Sequence, residues 1–473
     1  MPTVDKVIVT NLSALKTKYG ANWTRIQSAV DALIAKDLTR GLSSRLILLD
    51  DNAVMGALGG TAVVSPGSSH ENKSAINAVV STLHPTHLMI LGAIDVVPHQ
   101  NLTNPLYDNH MDFDPDPIAW GDLPYASRTA YDEQIDAFIP PILSVGRLPD
   151  ITGGKDPAYL VGLLNTAKDY HCRPKSDYLP YMGLSEEEWL DSTRASLIAD
   201  FGNAFTVHSI PPETSPWPVS LLHNRSHFIN CHGLQSDSHF YGSSATVPSA
   251  DALTATQLDD HLVEGTVVAA ECCYGAQLYD PTPAGNHLGI CNTYMRNAAY
   301  GYLGSSTITY FATPSPDDPT APPPPDCADL ICRYFFEKIM AGASLGQALL
   351  QARTQYIASK SPLSDKDLKT LAQFNLMGDP SLQPVCLGKP PVEGVVMEFT
   401  GQVVFQLFAK GTKSERMAVM LITKDHKYVL RRPGVHTLLD TTLHKLVEKR
   451  VRFEGILQGY TLFVTHSTII PDE

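Results

Sequence analysis

Long apolar segments are missing from this sequence. No run of about 18 or more apolar residues occurs, so we expect no helix that spans a membrane. The first twenty residues lack a basic start, a long apolar core and a small-residue cleavage site. We therefore interpret the start as mature sequence and not as a signal peptide.

An excess of basic charge is missing as well. Lys and Arg number 35 against 49 Asp and Glu, which gives a formal net charge of −14. This charge argues against a general nucleic-acid binder and gives no attraction for anionic lipid. The hydrophobic share of 43% and the charged share of 18% are those of a soluble globular protein. At 473 residues the chain predicts two or three domains.

Motifs for cofactors and metals are weak or missing. No phosphate loop of the Gly-x-x-x-x-Gly-Lys type occurs, and LGGTAVV (58–64) is too isolated to indicate a nucleotide site. The residues that could suggest zinc are His223, His227, Cys231, His232 and His239. Strand alternation would put them on different faces, and no Cys-x-x-Cys pair supports them. We expect neither a metal nor a cofactor.

The eight cysteines have no regular spacing. Such usage in a long chain indicates free thiols in a reducing compartment, so we predict a cytoplasmic protein. Cysteines at buried strand ends are usually small core residues. We give that interpretation to Cys231, Cys291, Cys327, Cys332 and Cys386.

Short apolar segments alternate with helical patterns through most of the chain. This alternation is typical of α/β proteins with a parallel sheet. A second series begins after a pause at 173–180, with a helix capped by Asp191 or Ser192. The predicted strands lie at 6–10, 44–50, 86–98, 144–149, 181–185, 204–210, 226–233, 266–273 and 299–306.

The last third of the chain changes character twice. The segment 313–327 is rich in proline and predicts an exposed loop, followed by one helix capped by Asp326 and another that begins at Ser344. Short alternating strands over 393–470 predict a small β-barrel, with the OB type as a candidate. We therefore expect α/β subdomains at 1–175 and 176–388 and a barrel at 389–473. Nucleic-acid binding by the barrel is a minor alternative, because nothing orders its basic residues into a groove.

Reactive side chains end two neighbouring strands of the second series. FINCHG ends in His232 and Gly233, and VVAAECC ends in Cys272 and Cys273. If these strands are adjacent and parallel, an imidazole faces a thiol at the sheet edge, where it can act as the base for a nucleophile. Gly233 would admit a substrate backbone, and its N–H could point at the oxyanion. Cys272 stays an alternative nucleophile to Cys273.

These segments resemble the gingipain-type cysteine peptidases, family C25, which share a broad class with caspases, legumain and clostripain. CHG, ECCYGAQL and AYGYLGSSTITYF carry the resemblance, and ILGAIDVVP, VGRLP and FNLMGDPSLQP extend it over about residues 1–385. It implies a caspase-like catalytic region of two α/β subdomains. The terminal barrel lies outside it, because gingipains carry an immunoglobulin-like module there.

The resemblance implies a role for each matching residue. His232 matches the catalytic histidine and Cys273 the nucleophile, with Cys272 in the small position before it and the N–H groups of Gly233 and Cys273 as oxyanion donors. Glu186 matches the acid that orients the histidine, with its neighbour Glu187 as the alternative. The S1 pocket, which holds the P1 residue on the N-terminal side of the cut, is matched by the residues Asp191, Ser305 and Ser306. A buried Asp191 would select Arg or Lys.

The expected function is therefore that of a cysteine endopeptidase. We expect it to cleave after a basic residue of a protein partner, by limited proteolysis in a bacterial signalling or defence pathway. A cytoplasmic protease needs restraint, for which the loop at 313–327 and a regulatory partner on the barrel are candidates. The alternative is a caspase-like scaffold that has lost turnover and acts as a regulatory binding protein.

Overall fold

The structure is a computed structural model that describes residues 4–110, 113–311, 325–360, 362–386, 397–409, 416–432 and 440–471. Its contacts divide the chain into two units, residues 1–386 and 387–473. The expected boundary at 388/389 lies outside the described residues, as does most of the proline-rich segment. The division of the first unit at 175/176 stays a prediction.

Apolar, β-branched strands form the centre of the first unit. KVIVT, for example, is buried at all five positions, as expected for a strand with both faces covered. The strands are β1 (Lys6–Thr10), β2 (Ser44–Leu48), β3 (His87–Leu91), β4 (Gln100–Thr103), β5 (Ile118–Gly121), β6 (Ser144–Leu148), β7 (Arg173–Pro174), β8 (Tyr181–Glu186), β9 (Val207–Ile210), β10 (Ser226–Asn230), β11 (His232–Gly233), β12 (His239–Gly242), β13 (Ala250–Thr254), β14 (Val267–Ala270), β15 (Gly301–Ser305), β16 (Phe374–Met377) and β17 (Val385–Cys386).

Ten of these strands form one sheet in the order β2-β1-β3-β6-β16-β15-β14-β10-β8-β9. Strands β1, β2, β3 and β6 pair in parallel, and so do β8, β9, β10, β14 and β15. Strand β16 runs antiparallel to β15 and meets β6 at the single pair Met377–Arg147. The prediction of an α/β protein with mainly parallel pairing is confirmed.

Helices pack against this sheet between the strands. They are α1 (Leu12–Tyr19), α2 (Trp23–Thr39), α3 (Asn52–Ala57), α4 (Ser69–Leu83), α5 (Ala158–Asp169), α6 (Leu190–Phe201), α7 (Val219–Leu222), α8 (Ala255–Leu258), α9 (Ile290–Arg296), α10 (Cys327–Met340), α11 (Leu345–Ser359) and α12 (Asp365–Gln373). Among the described residues, every helix falls short of the length and apolar character that crossing a bilayer requires.

One of the predicted helix caps is confirmed and one is wrong. Asp326 caps α10 through the N–H of Cys327, and α11 begins at Leu345 directly after its cap Ser344, one residue from the predicted start. Helix α6 begins at Leu190 with Trp189 in the N-cap position, so neither Asp191 nor Ser192 caps it. Asp191 instead lies in the first turn, where its charge is favourable because it faces the positive end of the helix dipole.

A disulfide links Cys172 to Cys386, beside the short pairing of β7 with β17. The interpretation of Cys386 as a free core cysteine is therefore wrong. Its partner lies 214 residues away in the sequence, a pairing that no local spacing could indicate. The prediction of free, buried core cysteines is confirmed at the other four positions, Cys231, Cys291, Cys327 and Cys332.

A buried ion pair ties the first strand to the segment after β16. The ammonium nitrogen of Lys6 lies 2.6 Å from a carboxylate oxygen of Asp37 and 2.7 Å from one of Asp379, and all three side chains are buried. Burial alone would raise the pKa of Asp379, but Lys6 and Ser381 hold it below its usual value. This contact joins the start of the unit to its end.

The second unit is a closed five-stranded barrel in the order β18-β19-β20-β22-β21. Its elements are β18 (Met397–Phe408), β19 (Arg416–Ile422), β20 (Lys427–Arg431), α13 (Thr441–His444), β21 (Arg450–Gln458) and β22 (Thr461–Ile469). The third and fifth strands are parallel, and a short helix precedes the fourth. This arrangement is that of an OB-type barrel. Val403, Leu421, Leu430, Phe453 and Leu462 form its core.

Candidate active site

Strands β10 and β14 are parallel neighbours whose ends carry His232 and Cys273. Their register pairs Ser226 with Val267 and Ile229 with Ala270. The pairing ends at Ile229 and Ala270, and His232 and Cys273 each follow it by three residues. The ladder extends past the strands, because the N–H of Glu271 donates to the carbonyl of Ile229 at 2.7 Å.

Gly233 lies directly against the nucleophile candidate. A Cβ atom at this position would lie 2.0 Å from the carbonyl oxygen of Cys273 and 3.4 Å from Cβ of Cys272. Only glycine allows so close an approach of the two backbones. The imidazole and the thiol thus come from two backbones in contact, as their places at adjacent strand ends led us to expect.

The two neighbouring cysteines differ sharply in their surroundings. Cys272 is fully buried, and burial raises the pKa of its thiol well above the usual value. Cys273 is partly exposed, and the N–H of Thr309 lies 3.4 Å from its sulfur. Burial also raises the pKa of the Cys273 thiol, while Thr309 and Lys369 act in the opposite direction. Of the two thiols, the geometry favours Cys273 as the one that a substrate can reach.

Glu186 at the end of β8 contacts the imidazole of His232. The distance from Oε2 of Glu186 to Nε2 of His232 is 3.3 Å, and the carboxylate is buried while the histidine is 44% exposed. The N–H and hydroxyl of Ser243 donate to the two carboxylate oxygens at 2.6 and 3.0 Å. The alternative acid, Glu187, is exposed. The carboxylate thus lies beside the ring, where it can stabilise a positively charged imidazole.

Aromatic residues that sequence reasoning missed surround His232. The Trp189 ring packs edge-on against His232 with centroids 4.7 Å apart, and it contacts Phe311 at 4.9 Å. Trp189 follows Glu186 by three residues, so β8 and the turn after it supply both the acid and the ring. The aromatic pair gives the histidine an apolar flank.

A second group that sequence reasoning missed lies behind Cys273. Both oxygens of Asp116 accept from the hydroxyl of Tyr274 at 3.0 Å. Asp114 is buried and bonds to Lys369 and to the hydroxyl of Tyr310. The carboxylates come from the segment between the predicted strands at 86–98 and 144–149, where no local signal linked them to the thiol.

The predicted S1 residues do not gather into a pocket with a buried acid. The side chain of Asp191 is 66% exposed and lies 3.3 Å from Arg194, so the expectation of a buried carboxylate there is wrong. Ser305 is buried and donates to the carbonyl of Thr307 at 2.7 Å. Ser306 is buried, bonds to the carbonyl of Trp120, and lines a cavity of about 440 Å³.

The main-chain groups around Cys273 bear on the oxyanion prediction. The N–H groups of Tyr274 and Gly275 donate to the carbonyls of Thr307 and Cys272. The N–H of Cys273 has no acceptor among the residues that the structure describes, which leaves it able to bind a substrate oxygen. The assignment of the N–H groups of Gly233 and Cys273 as oxyanion donors stays a prediction.

Metal-ligating side chains converge at one place within the described ranges, at Asp326, Cys327 and Asp367. The Lys360 ammonium already contacts both carboxylates, so a cation is in place. The histidines considered for zinc have other partners: Nδ1 of His227 lies 2.7 Å from the hydroxyl of Tyr294, and His239 lies 3.1 Å from Asp237.

Part of the chain is similar to a known protein family. Residues 228–385, which contain both His232 and Cys273, match the model of "Peptidase family C25". The family consists of cysteine endopeptidases, so the chain carries a cysteine peptidase region. Glu186 and Asp116 lie outside the matched range.

Two other comparisons add little. No curated protein matches the chain. A solved structure described as "Structure of Protease" is similar at 15% identity with a TM-score of 0.49, and covers 99% of this chain and 98% of its own. The C25 match and the site geometry therefore provide the functional evidence.

Proposed function

We propose that this C25 peptidase is an endopeptidase in which Cys273 is the nucleophile, His232 the general base and Glu186 the acid that orients the histidine. The observation that carries the proposal is the contact of Gly233 with Cys273 together with the 3.3 Å contact of Glu186 with His232. Nucleophilic acyl transfer requires a thiol, an imidazole next to it, and a carboxylate that orients the imidazole.

The chemical steps follow from these groups. The sulfur of Cys273 attacks the peptide carbonyl while its proton passes to the imidazole of His232. The carbonyl oxygen takes the negative charge next to the main-chain N–H groups. The C–N bond then breaks as His232 returns the proton to the leaving amine. Water, deprotonated by His232, hydrolyses the acyl-enzyme and releases the thiol.

Burial raises the pKa of the Cys273 thiol, which favours the neutral thiol over the thiolate. We therefore propose that the proton leaves during the attack. This order makes the position of the base more important than it would be for a preformed ion pair.

A covalent inhibitor tests the proposal. The protein is incubated with a peptide chloromethyl ketone that carries arginine, and the adduct is located by peptide mapping. We expect modification at Cys273, loss of it in His232→Ala, and retention of it in Cys272→Ala. Modification of Cys272 alone would reverse the choice of nucleophile. Equal labelling of the wild-type protein and His232→Ala, with no peptide hydrolysis, would favour the alternative of a regulatory scaffold without turnover.

We propose a basic P1 residue as well. Because Asp191 is exposed, the support for this preference is the resemblance to the gingipain-type peptidases. Fluorogenic peptides that differ only in Arg, Lys or Gln at P1 measure the preference. Equal turnover of the Gln and Arg peptides would contradict the proposed preference for a basic P1 residue.

The wider role is proposed on less direct grounds. We propose limited proteolysis of a protein partner in a signalling or defence pathway, with a regulatory partner on the barrel. The cytoplasmic location stays a prediction, and the Cys172–Cys386 disulfide is an observation against it, because disulfides persist mainly in oxidising compartments. Counting free thiols in protein from its native cells, under denaturing conditions without reductant, tests the location. Eight free thiols would support the cytoplasm, and six would oppose it.

A further inference from the structure

One carboxylate connects the two loops that flank the sulfur of Cys273. Asp116 accepts from the hydroxyl of Tyr274, the residue that follows the nucleophile. The same side chain accepts from the N–H of Ile308 at 3.0 Å. Ile308 is adjacent to Thr309, whose N–H lies 3.4 Å from the sulfur. Asp116 thus holds both the residue after the thiol and the segment that donates to it.

The loop that carries the nucleophile needs such support. Tyr274 has a φ of 55°, in the left-handed region that is strained for a non-glycine residue. Its N–H donates to the carbonyl of Thr307 at 3.0 Å, which joins the two loops a second time. A strained residue persists only where its surroundings hold it, and such residues are frequent at active sites.

Asp116 is itself held in place from the first part of the chain. Its N–H donates to a carboxylate oxygen of Asp114 at 3.1 Å, and its carbonyl accepts from the side chain of Asn104 at 2.6 Å. Asp114 in turn is buried against Lys369 and Tyr310. These contacts fix the position of the Asp116 carboxylate. Asp116 and Tyr274 are 158 residues apart in the sequence.

We propose that Asp116 is a positioning residue for the nucleophile: it holds Tyr274 and Ile308 so that the thiol of Cys273 and the N–H of Thr309 keep their geometry. The proposal rests on the proposed function of Cys273. It extends the active site to a segment outside the region that matches family C25, since Asp116 precedes residue 228.

Charge and position can be separated by the choice of variant. Asp116→Asn keeps the shape and an acceptor for both donors but removes the charge. Asp116→Ala removes both, and Tyr274→Phe removes one bond and leaves the charge. Because the Asp116 charge raises the pKa of the Cys273 thiol, the two aspartate variants should lower that pKa, and Tyr274→Phe should not. Asp136→Ala, which changes an exposed acid in the same segment between β3 and β6, serves as the control.

Three measurements test the proposal. Peptide turnover should fall about 10- to 100-fold in Asp116→Ala and Tyr274→Phe, as expected for a misplaced reacting group, and less than about threefold in Asp116→Asn. The pH profile of iodoacetamide labelling at Cys273 should move to lower pH in Asp116→Asn and Asp116→Ala, and should stay unchanged in Tyr274→Phe and Asp136→Ala. Hydrogen exchange of the segment 307–310 should become faster in Asp116→Ala and not in Asp136→Ala.

The outcomes distinguish the two levels of inference. Wild-type turnover in Asp116→Ala, or unchanged exchange at 307–310, would overturn the positioning role while leaving the peptidase intact. Faster exchange and a shifted labelling profile without any turnover in the wild-type protein would support the positioning role and count against the proposed function. A melting temperature for each variant shows whether lost turnover reflects unfolding; a loss accompanied by global unfolding, with exchange raised throughout, would also overturn the proposal.

Discussion

Oε2 of Glu186 lies 3.3 Å from Nε2 of His232, although the carboxylate is buried and the imidazole is nearly half exposed. Ser243 fixes the carboxylate with two further hydrogen bonds. The carboxylate therefore has a set position next to the imidazole. A carboxylate so placed can stabilise the imidazolium that forms when the histidine takes a proton.

Removing the charge of Glu186 should reduce turnover without unfolding the protein. We expect Glu186→Gln to lower kcat by about two to four orders of magnitude, because an amide can stabilise the wrong tautomer of His232 and cannot stabilise the imidazolium. The measurement is kcat on a fluorogenic peptide. Glu187→Gln is the matched control, since its exposed side chain should tolerate the change. Equal loss in both variants would contradict the assignment.

Substitution of the two adjacent cysteines should have different effects, one on turnover and the other on stability. We expect Cys273→Ala to lower kcat at least about 1000-fold, as for the loss of a nucleophile. Cys272→Ala should keep most of the turnover and lose about 1 kcal/mol of stability, because it shortens a fully buried side chain. Active-site titration and thermal melting measure the two effects. Full turnover in Cys273→Ala would rule out the proposed mechanism.

A methyl group at Gly233 should disturb the site through the backbone. The added Cβ would meet the carbonyl oxygen of Cys273 at 2.0 Å, so one of the two backbones must move. We expect Gly233→Ala to abolish most turnover and to cost about 1–3 kcal/mol, as for overpacking.

Gly162 in α5 provides the control for that experiment. A Cβ there has no atom within 4 Å, and alanine favours a helix over glycine by about 1 kcal/mol. Gly162→Ala should therefore leave turnover unchanged and raise the melting temperature slightly. If Gly233→Ala behaved in the same way, the close approach described for Gly233 would be in error.

Asp200 in α6 should make the stability of the protein depend on pH. Burial raises the pKa of its carboxyl well above the usual value, with Arg333 opposing the shift, and neither oxygen has a hydrogen-bond partner among the described residues. A group whose folded pKa is raised gives its full stability below the unfolded pKa, near 3.8, and loses it as the pH rises.

Asp200→Asn should therefore stabilise the protein at pH 8 and have little effect at pH 4. The gain arises because Asn cannot ionise, whereas at pH 8 Asp200 must either carry a buried charge or keep a proton that the unfolded chain has released. Melting temperatures of both proteins at the two pH values measure it. An equal change at pH 4 and pH 8 would mean that ionisation is not the cause.

Local patterns predicted the parts of the site that lie at strand ends. His232, Gly233 and Cys273 follow apolar strands, and the parallel register that brings them level needs no information beyond the order of strands. Glu186 also ends a strand, β8, which pairs with β10. Position at a sheet edge is thus readable from short sequence windows.

The remaining contacts depend on chain segments far apart in sequence. Asp116 reaches Tyr274 across 158 residues, and Cys172 reaches Cys386 across 214. Neither pair has a spacing or motif that indicates contact. Asp191, a position inferred from the family resemblance, is exposed and lies in the first turn of α6.

The covalent link between Cys172 and Cys386 encloses every residue of the proposed catalytic triad within one loop of the chain. A single cut anywhere inside this loop, by the enzyme itself or by another protease, leaves the two fragments attached. Nicked protein would then migrate as one band in a denaturing gel without reductant and as two bands with it. Maturation by internal cleavage, if it occurs, would release no fragment.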